Sequence, residues 1–433
     1  MEKTLIRQNA QWNGKMFDHL CPRDIMDNLL KKKTMRHVQI LTGVRRCGKS
    51  TVFKLLINDL LQSGVSGKSI LVLNLDDPQF IPFWDDSSKL FSVIENAERL
   101  TGEKVKYLFL DEVQVVEGWE LYIRRIYDTL NVGIFVTGSS AKLLSSEIAT
   151  SLRGRTISFE IFPFSFAEYL KARDIQINLN SSKSLSFIKN ALASYVVDGG
   201  FAETIHEDSF ISRKILSDYL ELIVFKDIAE RHNIANTALL KHLNKYCFTN
   251  ISTLLSFTKL YNEFKSQGFK LSKDTIFNYM AYLEDAYALF TVPIYRNSIK
   301  EEQRNPKKIY AIDNGFKKIY DYAITEDMGK LYENVVFLHL RRQTKEVYYF
   351  KQNQEVDFYA KLDDKAVLVN VSYEIKDEKT RKRELDGLLE AMEYFHQDTA
   401  YLITKDEDSV VEMDGKKVYI VPLYKYLIEG GVK

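Results

Sequence analysis

Three kinds of hydrophobic spacing follow one another along this chain. In the first third, tight apolar runs ending in small or acidic residues alternate with stretches whose apolar positions recur at i, i+3 and i+4. Buried strands alternating with amphipathic helices predict a parallel sheet flanked by helices. The strands expected are the run before Gly43 in HVQILTGVRRCGKST, ILVLNLDDPQF ending in Asp76 and Asp77, Tyr107 to Leu110 in KVKYLFLDEVQ, and VGIFVTGSSAKLL. TVFKLLINDLL continues the first of these as a helix.

From 163 to 233 the spacing is mostly helical, as at Ile215, Leu216, Tyr219, Leu222 and Ile223, and DGGF at 198–201 reads as a turn. Residues 235–300 give short helices, an N-cap at Ser272 before KDTIFNYMAYLEDAYAL, and a strand in FTVPIYRN, the order of a winged helix. After about 302 the pattern mixes a helix (LYENVVFLHLRR), three strand-like runs within VYYFKQNQEVDFYAKLDDKAVLVNVSYEI, a second helix (TRKRELDGLLEAMEYF) and strands in TAYLIT and KVYIVPL. A helix leading into a small mixed sheet is a nuclease-like core. The domains expected are therefore 1–165 (parallel sheet flanked by helices), 166–233 (helical lid), 234–300 (winged-helix-like) and 301–433 (nuclease-like).

The run Gly43-Val44-Arg45-Arg46-Cys47-Gly48-Lys49-Ser50, with Thr51 following, satisfies G-x-x-x-x-G-K-[ST]. Glycines let backbone N–H groups curl around phosphates at a helix start, Lys49 reaches the β- and γ-phosphates, and the Ser50 hydroxyl ligates Mg²⁺. Asp111, delivered by a buried strand, would hold Mg²⁺ through water, and Glu112 would orient and deprotonate the attacking water. ATP and Mg²⁺ are thus the ligands expected. Ser139 or Ser140, past the next strand, could bond the γ-phosphate or that water. Arg153 and Arg155 in SLRGRT could stabilise transition-state charge, in cis or from a neighbouring subunit.

Composition narrows the partners. The 433 residues carry 60 Lys and Arg against 59 Asp and Glu, a net charge of +1, so nucleic acid would have to be held by a local patch. Residues 235–300 hold eight basic and four acidic side chains, but 272–285 alone nets −2, poor for a phosphate-lined groove. Cys21, Cys47 and Cys247 make no metal-ligand pattern. No run approaches the roughly 20 apolar residues of a membrane span, and the first residues lack a signal-peptide core. A cytoplasmic protein with no membrane partner is expected.

The segments GVRRCGKST, LFLDEVQ, FVTGSSAKLL with LRGRT, IFPFSFAEYL, YAIDNGF, GKLYENVVFLHL, NQEVDFYAK and DEKTRKRELDGLL together resemble a prokaryotic family of AAA-type ATPases. In it a P-loop domain is followed by a winged helix and a C-terminal domain of restriction-endonuclease-like fold. The resemblance spans nearly the whole chain. It implies ATP hydrolysis, a homo-oligomer with an arginine acting in trans, and a nucleic-acid role.

It also implies that Glu333 and Asp357 match two acidic positions of a nuclease site whose next strand supplies Glu-x-Lys. Here that strand reads Asn370-Val371-Ser372. The amide carries no charge, and the hydroxyl is too short and too neutral for a lysine's task. Glu374, an even number of residues from Asn370, would face the same side; Lys376 lies past the expected strand end. The reading is an ATPase coupled to a degenerate, binding nuclease-like domain. Its rivals are a nucleotide-gated protein-interaction switch with little turnover and an active ATP-dependent nuclease.

Overall fold

The structure, a computed structural model, describes residues 1–32, 35–139, 150–152, 154–320 and 328–430. The chain forms two compact units, Met1–Phe162 with Asp285–Tyr287, and Pro163–Glu284 with Ala288–Lys433.

The first unit is built on five strands: β1 (Val38–Thr42), β2 (Ile70–Asn74), β3 (Tyr107–Asp111), β4 (Gly133–Gly138) and β5 (Thr156–Glu160). They pair in the order β2-β3-β4-β1-β5, every pair parallel. All five residues of β1 are buried, as a strand covered on both faces requires. Because β4 lies between β1 and β3, the carboxyl ends of these three strands open side by side, where open α/β sheets gather ligands. The helix Lys49–Gln62 buries Val52, Phe53, Leu56, Ile57 and Leu60. Phe53 meets Phe109 edge-on at 5.0 Å, and Phe109 stacks on Phe135 at 4.6 Å, fixing the helix over β3 and β4. The strand expected over 70–80 ends at Asn74. Asp77 instead caps the following turn, accepting from Gln79 N at 3.0 Å, and Pro78 cannot continue a ladder.

The second unit opens with the helices Phe166–Ala172, Ser182–Asp198 and Ser209–Leu222; the last runs on without a break as a π-helix, Ile223–Glu230. The helices Thr237–Thr249, Phe257–Ser266 and Lys273–Asp285 are then interspersed in the chain with β6 (Thr253–Leu255), β7 (Leu289–Val292) and β8 (Lys307–Ala311), which form an antiparallel sheet ordered β6-β8-β7. Ser272 accepts from Thr275 N at 3.1 Å, the cap expected of it. The central strand of this sheet lies beyond the boundary at 300 drawn from the sequence. Both its edges are paired to β6 and β7, so it belongs with them and not with the strands that follow.

After the helix Met328–Arg341 come β9 (Val347–Lys351), β10 (Glu355–Lys361), β11 (Ala366–Val371), β12 (Thr399–Thr404), β13 (Ser409–Met413) and β14 (Lys416–Pro422), in the order β13-β14-β12-β11-β10-β9. The β11-β12-β14 pairs are parallel and the others antiparallel. The helix Glu378–Tyr394 buries Leu385, Leu388, Ala391 and Met392 against Val356, Leu368, Leu402 and Ile420.

A polar joint organises this unit. Asp313 accepts from Gly200 N at 2.7 Å and Gly315 N at 2.8 Å, and Asn314 donates to Val196 O at 2.7 Å. Asn334 bonds both backbone groups of Ala311 and donates to Asn314. Gly199, at φ +83°, has no room for a side chain, since a Cβ would lie 1.7 Å from Asp313 Oδ1. Among the described residues no helix is long and apolar enough to cross a membrane.

Candidate functional site

The loop between β1 and the helix Lys49–Gln62 is set by backbone conformations that side chains resist. Gly43, Arg46 and Gly48 have φ of 153°, 68° and 99°. A Cβ on Gly43 would stand 2.1 Å from Ile161 O. The loop is braced by Arg23, a buried residue whose guanidinium donates to Cys47 O at 3.0 Å and Phe162 O at 2.6 Å. Cys47 is itself buried, and burial pushes its thiol pKa up despite the cations of Lys49 and Arg23. Lys49 is buried at the helix start, its Nζ donating to Gly43 O at 3.0 Å and Val44 O at 3.1 Å.

From the neighbouring strands come the carboxylates. Ser50 Oγ donates to Asp111 Oδ2 at 2.6 Å. The other Asp111 oxygen accepts from the hydroxyl of Thr137, which is fully buried on β4. Thr137 Oγ1 also accepts from Glu112 N at 3.1 Å. Glu112 sits in the left-handed region, φ 56° and ψ 47°, uncommon for a residue with a long side chain. Its carboxylate accepts from Gln114 Nε2 at 2.5 Å. A glycine-rich loop opening a helix, a lysine and a hydroxyl–carboxylate pair are groups that could hold a polyphosphate with a hard divalent cation, which takes oxygen ligands.

Ser139 is buried directly after β4. Arg155 donates to Asp128 Oδ1 at 2.5 Å and lies 4.8 Å from the centre of the Tyr127 ring, so its charge is engaged within its own unit. Ser140 and Arg153 lie outside the described residues.

In the second unit the helix Met328–Arg341 and β10 bring Glu333 and Asp357 together, and both reach one ammonium. Lys308 Nζ lies 2.7 Å from Asp357 Oδ1, 3.0 Å from Glu355 Oε1 and 3.1 Å from Glu333 Oε1. Tyr310, two residues along β8, donates to Glu333 Oε1 at 2.7 Å. Asn370 is buried and accepts from Asp357 N at 3.0 Å while donating to Glu384 Oε2 at 2.5 Å.

Burial, and then the nearby Asp357 carboxylate, push Glu333 up to about 7. Burial alone would lower Lys308, but Asp357 and Glu333 outweigh it and raise it well above the usual lysine value. Burial would raise Glu355, yet Lys308 holds it below the usual carboxylate range.

Ser372 and Glu374 do not join this cluster. β11 ends at Val371, after which Ser372 Oγ donates to Glu374 O at 3.3 Å and Glu374 pairs with exposed Lys376 at 3.8 Å. The alternation that put Glu374 beside Asn370 lapses where the strand stops. Arg23, Gln114, Lys308, Tyr310, Glu355 and Glu384 were not singled out from the sequence. Their partners are mostly remote, and the one local signal was the Lys308/Tyr310 alternation within an apolar run.

The parallel sheet with its glycine-rich loop defines a mixed α/β fold of P-loop NTPase type. Residues 35–170 match the family model described as AAA domain, and 189–319 and 328–426 match two described as domains of unknown function, DUF8612 and DUF4143. The uncharacterized protein MJ1544 of Methanocaldococcus jannaschii is 33% identical over 93% of this chain and 90% of its own length. A Haemophilus influenzae protein is 30% identical over 92% of this chain and 96% of its own. The chain belongs to the family of these two proteins. Of solved structures, Caenorhabditis elegans PCH-2 overlaps at a TM-score of 0.30 and 14% identity, over 48% of this chain and 60% of PCH-2. AMPPCP-bound DnaA from Aquifex aeolicus overlaps at 0.27 and 14%, over 63% and 90%.

Proposed function

We propose that this protein is a Mg²⁺-dependent ATPase whose C-terminal segment is a nuclease-like domain without nuclease chemistry. One contact carries the first half of the reading, the 2.6 Å bond from Ser50 Oγ to Asp111 Oδ2. It joins the glycine-rich loop to the acidic strand end as metal-assisted phosphoryl transfer needs. Gly43 to Gly48 with Thr51 would cradle the phosphates through backbone N–H groups, and Lys49 would leave the loop carbonyls for the β- and γ-oxygens. Ser50 and Asp111 would hold Mg²⁺, which supplies charge neutralisation of the transferring phosphoryl group when bound. Glu112 would orient and deprotonate water, with Thr137 and Gln114 fixing its backbone and carboxylate. Ser139 would supply a supporting hydrogen bond to the γ-phosphate or that water. Arg153 or Arg155 would stabilise the transition-state charge, in cis or from a neighbouring subunit.

The second half rests on Asn370, which accepts and donates among carboxylates where a charged ligand would be needed, and on the absence of a lysine at Ser372. The winged-helix reading of the three-stranded sheet makes nucleic acid a candidate partner. Self-association is the other expectation carried from the family resemblance.

The test is ATP hydrolysis by the full chain, with and without DNA or RNA, with mass followed in parallel. Hydrolysis is expected, lost in Lys49→Ala and slowed about 10²-fold or more in Glu112→Gln while ATP still binds. The reading fails if the wild type hydrolyses nothing and Lys49→Ala leaves nucleotide affinity unchanged.

A further inference from the structure

The Glu333–Asp357 cluster is closed by a residue from another sheet. Lys308 is buried on β8, the central strand of the three-stranded sheet, while Glu355 and Asp357 stand on β10 of the six-stranded one. An ammonium has three donors and no acceptor, and here three carboxylates lie within 3.1 Å of it. Two of the three accept a further hydrogen bond. Asp357 Oδ2 accepts from Val371 N at 2.9 Å, and Glu333 Oε1 from Tyr310. Behind them Asn370 ties Asp357 N to Glu384, and Arg383 donates to Glu384 Oε1 at 2.5 Å.

A divalent cation would need to collect these same oxygens around one point in place of the ammonium. Lys308 stands at that point, and being part of the chain it cannot diffuse away. An ammonium satisfies the carboxylates by hydrogen bonds but cannot act as a Lewis acid or lower the pKa of a bound water.

We propose that Lys308 is a tethered cation that fills this carboxylate site in place of a divalent metal, making it a metal-independent joint between the two sheets. This deepens the reading of the C-terminal segment as non-catalytic and is tested without ATP, so its failure is distinguishable from failure of the ATPase reading.

The probe is Mn²⁺ alone, titrated into the nucleotide-free full chain and followed by electron paramagnetic resonance. Wild type and Asp357→Asn should bind Mn²⁺ with the same stoichiometry. Lys308→Ala should gain one Mn²⁺ per chain, and Lys308→Ala with Asp357→Asn should lose that gain. A wild-type Mn²⁺ site abolished by Asp357→Asn overturns the proposal, as does a folded Lys308→Ala that takes up no additional metal. Should Lys308→Ala fail to fold, refolding is repeated with Mn²⁺. Rescue by the metal supports the substitution of one cation for another, and lack of rescue refutes it.

Discussion

Thr137→Val removes one hydroxyl and nothing else of consequence, because valine matches threonine in shape. That hydroxyl donates to Asp111 and accepts from the amide of Glu112, the residue held at φ 56°. A hydrogen bond to a charged group contributes about 1.5–3 kcal/mol, and an amide left without a partner costs about 1–3 kcal/mol. Asp111 and Glu112 are only half buried, so water recovers part of both, and about 2 kcal/mol is the expected loss.

The chain offers a clean reporter. Its three tryptophans, Trp12, Trp84 and Trp119, all lie in the first unit, so tryptophan fluorescence follows that unit alone during urea unfolding. With a slope of about 2 kcal/mol per molar urea, the midpoint should fall by about 1 M. Thr137→Ser, which keeps the hydroxyl, should recover most of it. ATP turnover should fall as well, since the Glu112 backbone loses its anchor. A Thr137→Val midpoint and slope equal to wild type would refute the claim that this hydroxyl ties the two acidic residues together.

Arg23→Ala should weaken ATP binding about tenfold by calorimetry with little change in overall fold, because two loop-bracing bonds to Cys47 O and Phe162 O are lost. Lys308→Ala should destabilise the second unit by about 3–5 kcal/mol, measured by circular dichroism, by leaving three carboxylates facing one another without a cation. Burial raises Asp313 from 3.8 to about 7, so the native state holds a proton that the unfolded chain has released. Its contribution is complete below the unfolded value and is lost as pH rises through about 7. The stability advantage of wild type over Asp313→Asn should therefore shrink by up to about 1.4 kcal/mol per pH unit across that window.

What the sequence made legible was what depends on neighbouring residues. The loop before Lys49 announces itself because glycines at fixed offsets satisfy backbone demands, and Asp111 stands out because an apolar run ends on it. Of the group Glu333, Asp357, Asn370 and Ser372 read from the sequence, a helix and two consecutive strands bring the first three together, while Ser372 lies past the end of β11.

The partners that complete each site were not legible. Lys308 is 49 residues from Asp357, and its strand pairs with β6 and β7, from which the boundary drawn at 300 had separated it. Arg23 is 139 residues from Phe162. The expectation for Glu374 failed for a different reason: a period of two holds only while the strand lasts, and β11 stops at Val371.

The continuous helix from Ser209 through Glu230 ends in eight residues of π-helix. A π turn bonds i to i+5, so it takes more residues than an α turn to cover the same arc. Such a segment stores a surplus residue in a frame that closes without it. Deleting one residue between Ile223 and Glu230 lets the backbone tighten into an ordinary α-helix while Thr237–Thr249 keeps its place, whereas the same deletion in Ser182–Asp198 would turn every later side chain by about 100°. The second unit thus carries its own tolerance for a change in chain length at this point.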